Sequence, residues 1–252
     1  MANRKRNVNE KESPLCTRWP RLIQWLIVLS LPIFLLLSNT RIATGHWFIH
    51  WEYGKEDFPP DPYGLSTAER IPLAETCVDY LATGADISLL GDLQLPNGEP
   101  AFNQRELRHM FDVQVVYGHL MTARTIAALA LAGGIGALLA QGRTRWRTPA
   151  ALLHGSALTL GLLGAVGAYM ALSWGEFFTT FHRIFFEGET WIFDYSDTLI
   201  RLFPIRFWMD VAAVIVGLLV VEALALGGVA WMWAQRLTSR SQLDIVGVKR
   251  ET

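Results

Sequence analysis

Hydrophobic residues in this chain gather into four long runs, at 22–38, 116–140, 149–173 and 207–234. About 20 apolar residues in a helix cross a hydrocarbon core about 30 Å thick, so each run is a candidate span. The first, "LIQWLIVLSLPIFLLL", is short but uncharged. The second and third contain "TIAALALAGGIGALLA" and "ALTLGLLGAVGAYMAL". They are rich in Gly and Ala, which let helix backbones approach closely in lipid. The pattern predicts an all-α polytopic membrane protein with four transmembrane helices. It leaves two polar stretches, 39–115 and 174–206, that need another account.

The first stretch reads as a mostly helical cap rather than a linker. "FPPDPYG" opens it with turn signals, and Ser66 with Glu69 has the spacing of a helix capping box. Leu73, Val78 and Leu81 then recur at roughly helical spacing. "LQLPNGEPAF" brings turns between short apolar pieces. Asn103, with Glu106 third after it, starts a helix that runs without a break into the second span. Thr148 and Pro149 suit a cap and first turn of the third span. The stretch 174–206 ends at Pro204 and returns as the fourth span. No internal repeat appears.

Charge orients the spans. The N-terminal segment 1–21, the link 141–148 and the tail 235–252 are basic, whereas 41–114 holds five Lys and Arg against twelve Asp and Glu. Cytoplasmic loops carry the excess of Lys and Arg, so both termini and the link are expected inside, and the cap and 174–206 outside. No small-x-small cleavage site follows the first run, which is therefore read as a retained anchor. Cys16 precedes that run, unlike a lipobox cysteine. Cys16 and Cys77 fall on opposite sides, so no disulfide is expected between them. The formal charge is −1 and no basic aromatic patch appears, which predicts no nucleic-acid partner.

Six histidines carry the candidate chemistry. His46 and His50 have an i, i+4 spacing that suits a metal, but no Glu of an HExxH motif and no third ligand accompany them. No metal is expected. His119 and His154 lie at opposite leaflets and read as structural histidines bonded to neighbours rather than a haem pair. Arg124 and Glu222, inside spans, are read as a structural bridge. His109 and His182 both fall at the outer ends of spans. Glu106 and Asp112, three residues either side of His109, share its helical face and can hold the imidazole tautomer. His182 sits in "FHRIFF", with Phe178, Phe185 and Phe186 on its face. The plain alternative is a pair of interfacial histidines with wet tips. No GxSxG elbow is present, Cys77 lacks an orienting His, and Ser156 lies with His154 at the wrong leaflet.

The segments "ELRHMFDV" and "FHRIFF", with Trp191 and "LIRLFP" beyond and "HWEYGKEDFPPDPYGLSTAER" in the cap, resemble the bacterial lipoprotein intramolecular transacylase family. The resemblance covers nearly the whole chain. It implies four membrane helices under an extracytoplasmic cap. It also implies transfer of the sn-2 acyl chain of a diacylglyceryl-modified lipoprotein to the amine of its N-terminal cysteine, giving a lyso-form lipoprotein. His109 and His182 then fall on the family's two catalytic histidines, at the outer boundary of the bacterial plasma membrane. Asp112, Glu106 and Arg183 are placed in support. Tyr53, Phe178, Phe181, Phe185, Phe186 and Trp191 are placed against the substrate. No cofactor is expected; the partners are diacylglyceryl-modified lipoproteins and membrane lipid. Ester-to-amide transfer asks for such groups, since one imidazole can take the ammonium proton and another can protonate the leaving oxygen. Two alternatives stay open: a non-enzymatic accessory or sensor protein, and a haem- or quinone-binding subunit.

Overall fold

The computed structural model describes residues 14–248, with side chains for 18–239. Four helices among them are long and apolar enough to cross a membrane: Arg18–Ala43, Gln104–Ala140, Arg147–Leu172 and Ile205–Ser239. They lie in α1 (Pro14–Ala43), α5 (Gln104–Ala140), α6 (Arg147–Leu172) and α9 (Ile205–Val248). α1 packs against α5, α6 and α9, and α6 packs against α9. Ile27, Val28, Leu31 and Leu35 of α1 form the centre of the bundle core, with Leu131, Leu138, Ala151 and Leu219 around them. Small residues allow the close approach. A Cβ added at Gly155 would lie 2.8 Å from Leu31 Cδ2, and one at Gly134 3.0 Å from Ile27 Cγ1. Leu129, Leu162, Val221 and Leu224 are exposed on the outer faces, as lipid-facing residues are.

The polar groups inside the bundle pair differently from the expected Arg124–Glu222 bridge. Arg124 Nε donates to Ser38 Oγ at 3.0 Å, and Glu222 Oε2 accepts from Asn39 Nδ2 at 2.7 Å. Adjacent residues of α1 thus divide the two groups between them, which ties α1 to α5 and to α9 separately.

Over one end of the bundle sit α2 (His46–Tyr53), α3 (Thr67–Thr83), α4 (Ser88–Gly91), the first turns of α5, α7 (Trp174–Phe185) and α8 (Thr198–Leu202). Among the described residues no strand is present beyond one isolated bridge, Gln94 with Pro100. Both expected capping boxes form, Ser66 with Glu69 on α3 and Asn103 with Glu106 on α5. Gly84 ends α3 at φ 68°, a left-handed conformation that costs Gly little. Thr148 does not cap α6: the helix starts at Arg147, and the Thr148 hydroxyl is buried without a partner.

The cap has its own core, which includes Leu73, Cys77, Tyr80, Leu90, Phe102 and Met110 with Leu199 and Leu202 of α8. Cys77 is a free, buried thiol, and the side chain of Cys16 lies outside those described. Gln114 locks α5 to the end of α3 by donating to the carbonyls of Tyr80 and Ala85, each at 2.9 Å. His46 and His50 face carboxylates rather than each other. His46 pairs with Asp79 and His50 with Glu75, both at 2.8 Å, pinning α2 to α3.

Candidate functional site

His109 and His182, far apart in sequence, meet beneath the cap. Their ring centroids are 6.2 Å apart, with planes inclined by 24°. His109 lies in the second turn of α5 and is buried, against Phe186 at 4.9 Å and Phe193 at 5.2 Å. His182 lies on α7, half-buried between Phe178 at 4.1 Å and Trp191 at 5.0 Å. Phe186, 9 % exposed, touches both imidazoles. Each ring is therefore walled by aromatic carbon and shielded from water.

The two imidazoles are held differently. His182 Nδ1 lies 2.7 Å from the carbonyl oxygen of Phe178. A carbonyl only accepts, so Nδ1 carries the proton and Nε2 keeps its lone pair. Burial pushes the His182 pKa below the usual imidazole value, against a smaller upward pull from that carbonyl. His109 Nδ1 is buried without a hydrogen-bond partner. So are the indole nitrogens of Trp191 and Trp174 and the hydroxyl of Thr190. Buried donors are usually paired, so the unpartnered His109 nitrogen and the indole N–H of Trp191, whose ring lies 5.0 Å from His182, offer hydrogen bonds to polar atoms entering beside the pair.

The supporting residues are placed differently from expectation. Asp112 turns to Arg108, Oδ1 to Nε 3.5 Å, and makes no hydrogen bond to His109. Glu106 is also committed elsewhere: Oε2 accepts from the Asn103 amide at 2.8 Å and Oε1 from the Leu199 amide at 2.7 Å. It holds α8 against the start of α5. The i, i+3 spacing places all three groups on one face, but competing partners lie closer. Arg183 is exposed, with no hydrogen bond or ion pair among the described residues.

Of the aromatic residues, Phe178, Phe186 and Trp191 line the pair. Phe181 meets only the edge of His182 at 5.5 Å and is 41 % exposed. Phe185 stacks on Phe181 at 4.9 Å and is itself largely exposed. Tyr53 does not join the site. It is buried in the cap, its hydroxyl donates to the Leu202 carbonyl at 2.6 Å, and its ring packs on Phe58 and Arg70. His119 and His154 are exposed, with no hydrogen bond among the described residues, so neither is a bonded structural histidine.

One part of the site was not anticipated. Arg105 bonds Asp194 at 3.0 Å and Asp197 at 2.6 Å, and Asn103 donates to Asp197 at 2.9 Å. These bonds clamp the loop carrying Trp191 and Phe193 onto α5. A carboxylate just ahead of Thr198, where a short helix begins, was the available signal.

The comparisons bear on the family and the fold. Residues 25–208 match the family model for the lipoprotein intramolecular transacylase Lit. Over 190 residues the chain is 30 % identical to an uncharacterized protein of Aquifex aeolicus (strain VF5), covering 75 % of this chain and 84 % of that protein. The fold is similar to the in meso structure of the membrane integral lipoprotein intramolecular transacylase Lit from Bacillus cereus. That match has a TM-score of 0.72 and 21 % identity, over 90 % of this chain and 99 % of the other. Two variants of the Bacillus cereus protein, each with one histidine replaced, by Arg or by Ala, match with TM-score 0.69 and 20 % identity. The chain is a membrane protein belonging to the lipoprotein intramolecular transacylase Lit family.

Proposed function

We propose that this acyltransferase moves the sn-2 acyl chain of a diacylglyceryl-modified lipoprotein to the amine of the lipoprotein's N-terminal cysteine, leaving a lyso-form lipoprotein. The observation that carries the reading is the meeting of His109 and His182 in one aromatic enclosure. The basic termini and link and the acidic cap support a reading with both termini in the cytoplasm and this enclosure at the outer boundary of the bacterial plasma membrane. The substrate comes from membrane lipid, and no nucleic acid takes part.

His182 is the base. Its Nε2, kept unprotonated by the Nδ1–H bond to Phe178, takes a proton from the cysteine ammonium. The neutral amine then attacks the sn-2 ester carbonyl. The tetrahedral intermediate has an oxyanion, and the buried, unpartnered indole N–H of Trp191 is the donor we assign to it. A single donor of this kind typically contributes about 10²–10³-fold in turnover. As the intermediate collapses, the new C–N bond stays and the C–O bond to glycerol breaks. The nitrogen passes its second proton to His109, which gives it to the departing oxygen, and His182 releases the first proton to solvent. One ester and one amine become one amide and one alcohol, with no further reactant. Because ester and amine belong to one substrate, holding them together lowers the barrier by up to about 7–11 kcal/mol.

The test is mass spectrometry of N-terminal lipopeptides after diacylglyceryl lipoprotein is incubated with purified protein. We expect a shift of one acyl chain from glycerol to nitrogen, at constant total mass. His109→Ala and His182→Ala should each abolish most of it, and the double variant should be little worse, because groups acting as a unit are non-additive. Near-normal transfer by either single variant removes that histidine from the mechanism.

A further inference from the structure

We infer that the end of the bundle opposite the histidines carries a binding site for an anionic glycerophospholipid, seated between α1 and α6. A cavity of about 560 Å³ opens there, lined by Arg21, Gln24, Trp25 and Val28 of α1 and by Arg147, His154 and Leu158 of α6. Both helices leave this end in the same direction, so position along each is depth. Arg21 and Arg147 stand at the mouth. Gln24 and Trp25 come next, His154 and Val28 lie below them, and Leu158 lies deepest. At about 1.5 Å per residue, Val28 is roughly 10 Å below Arg21 and Leu158 roughly 16 Å below Arg147. α6 meets α1 closely at Gly155, against Leu31 and Val28.

The lining thus passes from two guanidinium groups to aliphatic carbon over one phospholipid's own gradient, phosphate above acyl chain. No carboxylate lines the cavity. Arg147 is pre-set across the groove: Nη1 donates to Gln24 Oε1 at 2.8 Å, and the guanidinium lies over the Trp146 ring at 4.5 Å. Its remaining N–H groups are available to phosphate oxygens, which a planar fork recognises in pairs. Arg21 is exposed, with no ion pair among the described residues. Trp25, 62 % exposed, sits just inside the mouth, the depth at which amphipathic indoles favour the membrane interface. A headgroup with its own ammonium would set that cation against two guanidiniums, so the lipid chemistry selected is phosphate without a cation. By the charge pattern, this is a lipid of the cytoplasmic leaflet. The site stands independently of the acyl-transfer chemistry at the other end.

The test uses purified full-length protein in a neutral detergent, titrated separately with phosphatidylglycerol, phosphatidylcholine and inorganic phosphate. Native mass spectrometry reads bound lipid, and the thermal midpoint is followed alongside. We expect a discrete one-lipid adduct and a raised midpoint with phosphatidylglycerol alone. Arg21→Gln, at a side chain with no ion pair to lose, should weaken the adduct about fivefold, as removal of one basic residue near a lipid surface does. Arg21→Gln combined with Arg147→Gln should weaken it further. Arg145→Gln, at a neighbouring arginine outside the cavity, should leave it unchanged. Equal retention of phosphatidylcholine overturns the proposal. So does an equal loss in Arg145→Gln, which would mean general attraction of a basic link to anionic lipid, or displacement of the lipid by inorganic phosphate.

Discussion

Replacing Glu106 separates a structural role from a catalytic one. The side chain is 1 % exposed, and each oxygen accepts a different backbone N–H, from Asn103 and from Leu199. In Glu106→Gln the amide oxygen satisfies one of these, and the NH₂ group is turned onto the other. A hydrogen bond to a charged group is worth about 1.5–3 kcal/mol, and a buried donor left unpaired costs about 1–3 kcal/mol. These overlap, so the expected loss of stability is about 2–4 kcal/mol. Glu106→Ala strips both amides and leaves a void, and should lose about 4–6 kcal/mol. The loss should appear as a lower unfolding midpoint in a fixed detergent. Acyl transfer per folded molecule, measured well below that midpoint, should fall by less than about tenfold, because Glu106 does not touch His109. Two outcomes refute this reasoning. One is Glu106→Gln unfolding like the wild type. The other is normal unfolding with turnover lost about a hundredfold, which would make Glu106 a partner of His109 after all.

Asp112→Asn removes an ion pair with a largely exposed Arg108, so turnover within about twofold of wild type and less than about 1 kcal/mol of lost stability are expected; a large fall in turnover would restore Asp112 as an orienting group. Trp191→Phe keeps a ring against His182 and removes the N–H with part of the indole, so kcat should fall about 10²-fold with KM little changed; an unchanged kcat would leave Trp191 as a wall alone. Burial holds the His182 pKa below its ordinary 6.5, so the decline of turnover with falling pH should have its midpoint below 6.5. Because the unfolded chain then binds the proton first, stability should fall over the same acid range; a pH profile breaking above 7 would contradict the burial of this imidazole.

The long apolar runs gave away the bundle because a membrane imposes length and composition on every span, whatever its partners. The helix starts at Thr67 and Gln104 were legible for a similar reason: a capping box is local, three residues closing on themselves. The start of α6 was not, because Thr148 is buried against neighbours that sequence does not reveal. The same limit explains the polar residues. Arg124 and Glu222 look like partners in a list of charges, yet adjacent positions on α1 separate them. Spacing put Glu106 and Asp112 beside His109, but the Leu199 amide and Arg108 compete for them, and only the fold brings Leu199 there. Tyr53 was placed against substrate through its surrounding motif, and the carbonyl of Leu202 takes its hydroxyl.

Helix α7 explains why ionisable residues can sit in an aromatic cluster at a membrane surface. Phe178, His182 and Phe186 recur every fourth position and face α5, where they enclose His109. Phe181, Phe185 and Ile184 continue this apolar face away from α5, at 41, 39 and 71 % exposure, and Glu176, Thr179, Thr180 and Arg183 form a polar stripe on the remaining side. A short helix with a broad apolar face and a polar stripe lies along the membrane interface, its outer aromatic residues turned to lipid. None of its residues is fully buried. Its attachment to the protein runs through His182, whose ring meets His109 and Trp191, and through Tyr169, which meets Thr180 at 3.2 Å. On the proposed function, that geometry solves a problem of access. A diacylglyceryl group keeps its chains in lipid, because withdrawing each CH₂ costs about 0.8 kcal/mol. Only the ester carbonyl and the amine must reach the histidines. A wall whose far side already lies in lipid lets those two groups enter sideways, with the acyl chain still solvated by the bilayer. The aromatic lining then keeps water from attacking the ester in place of the amine.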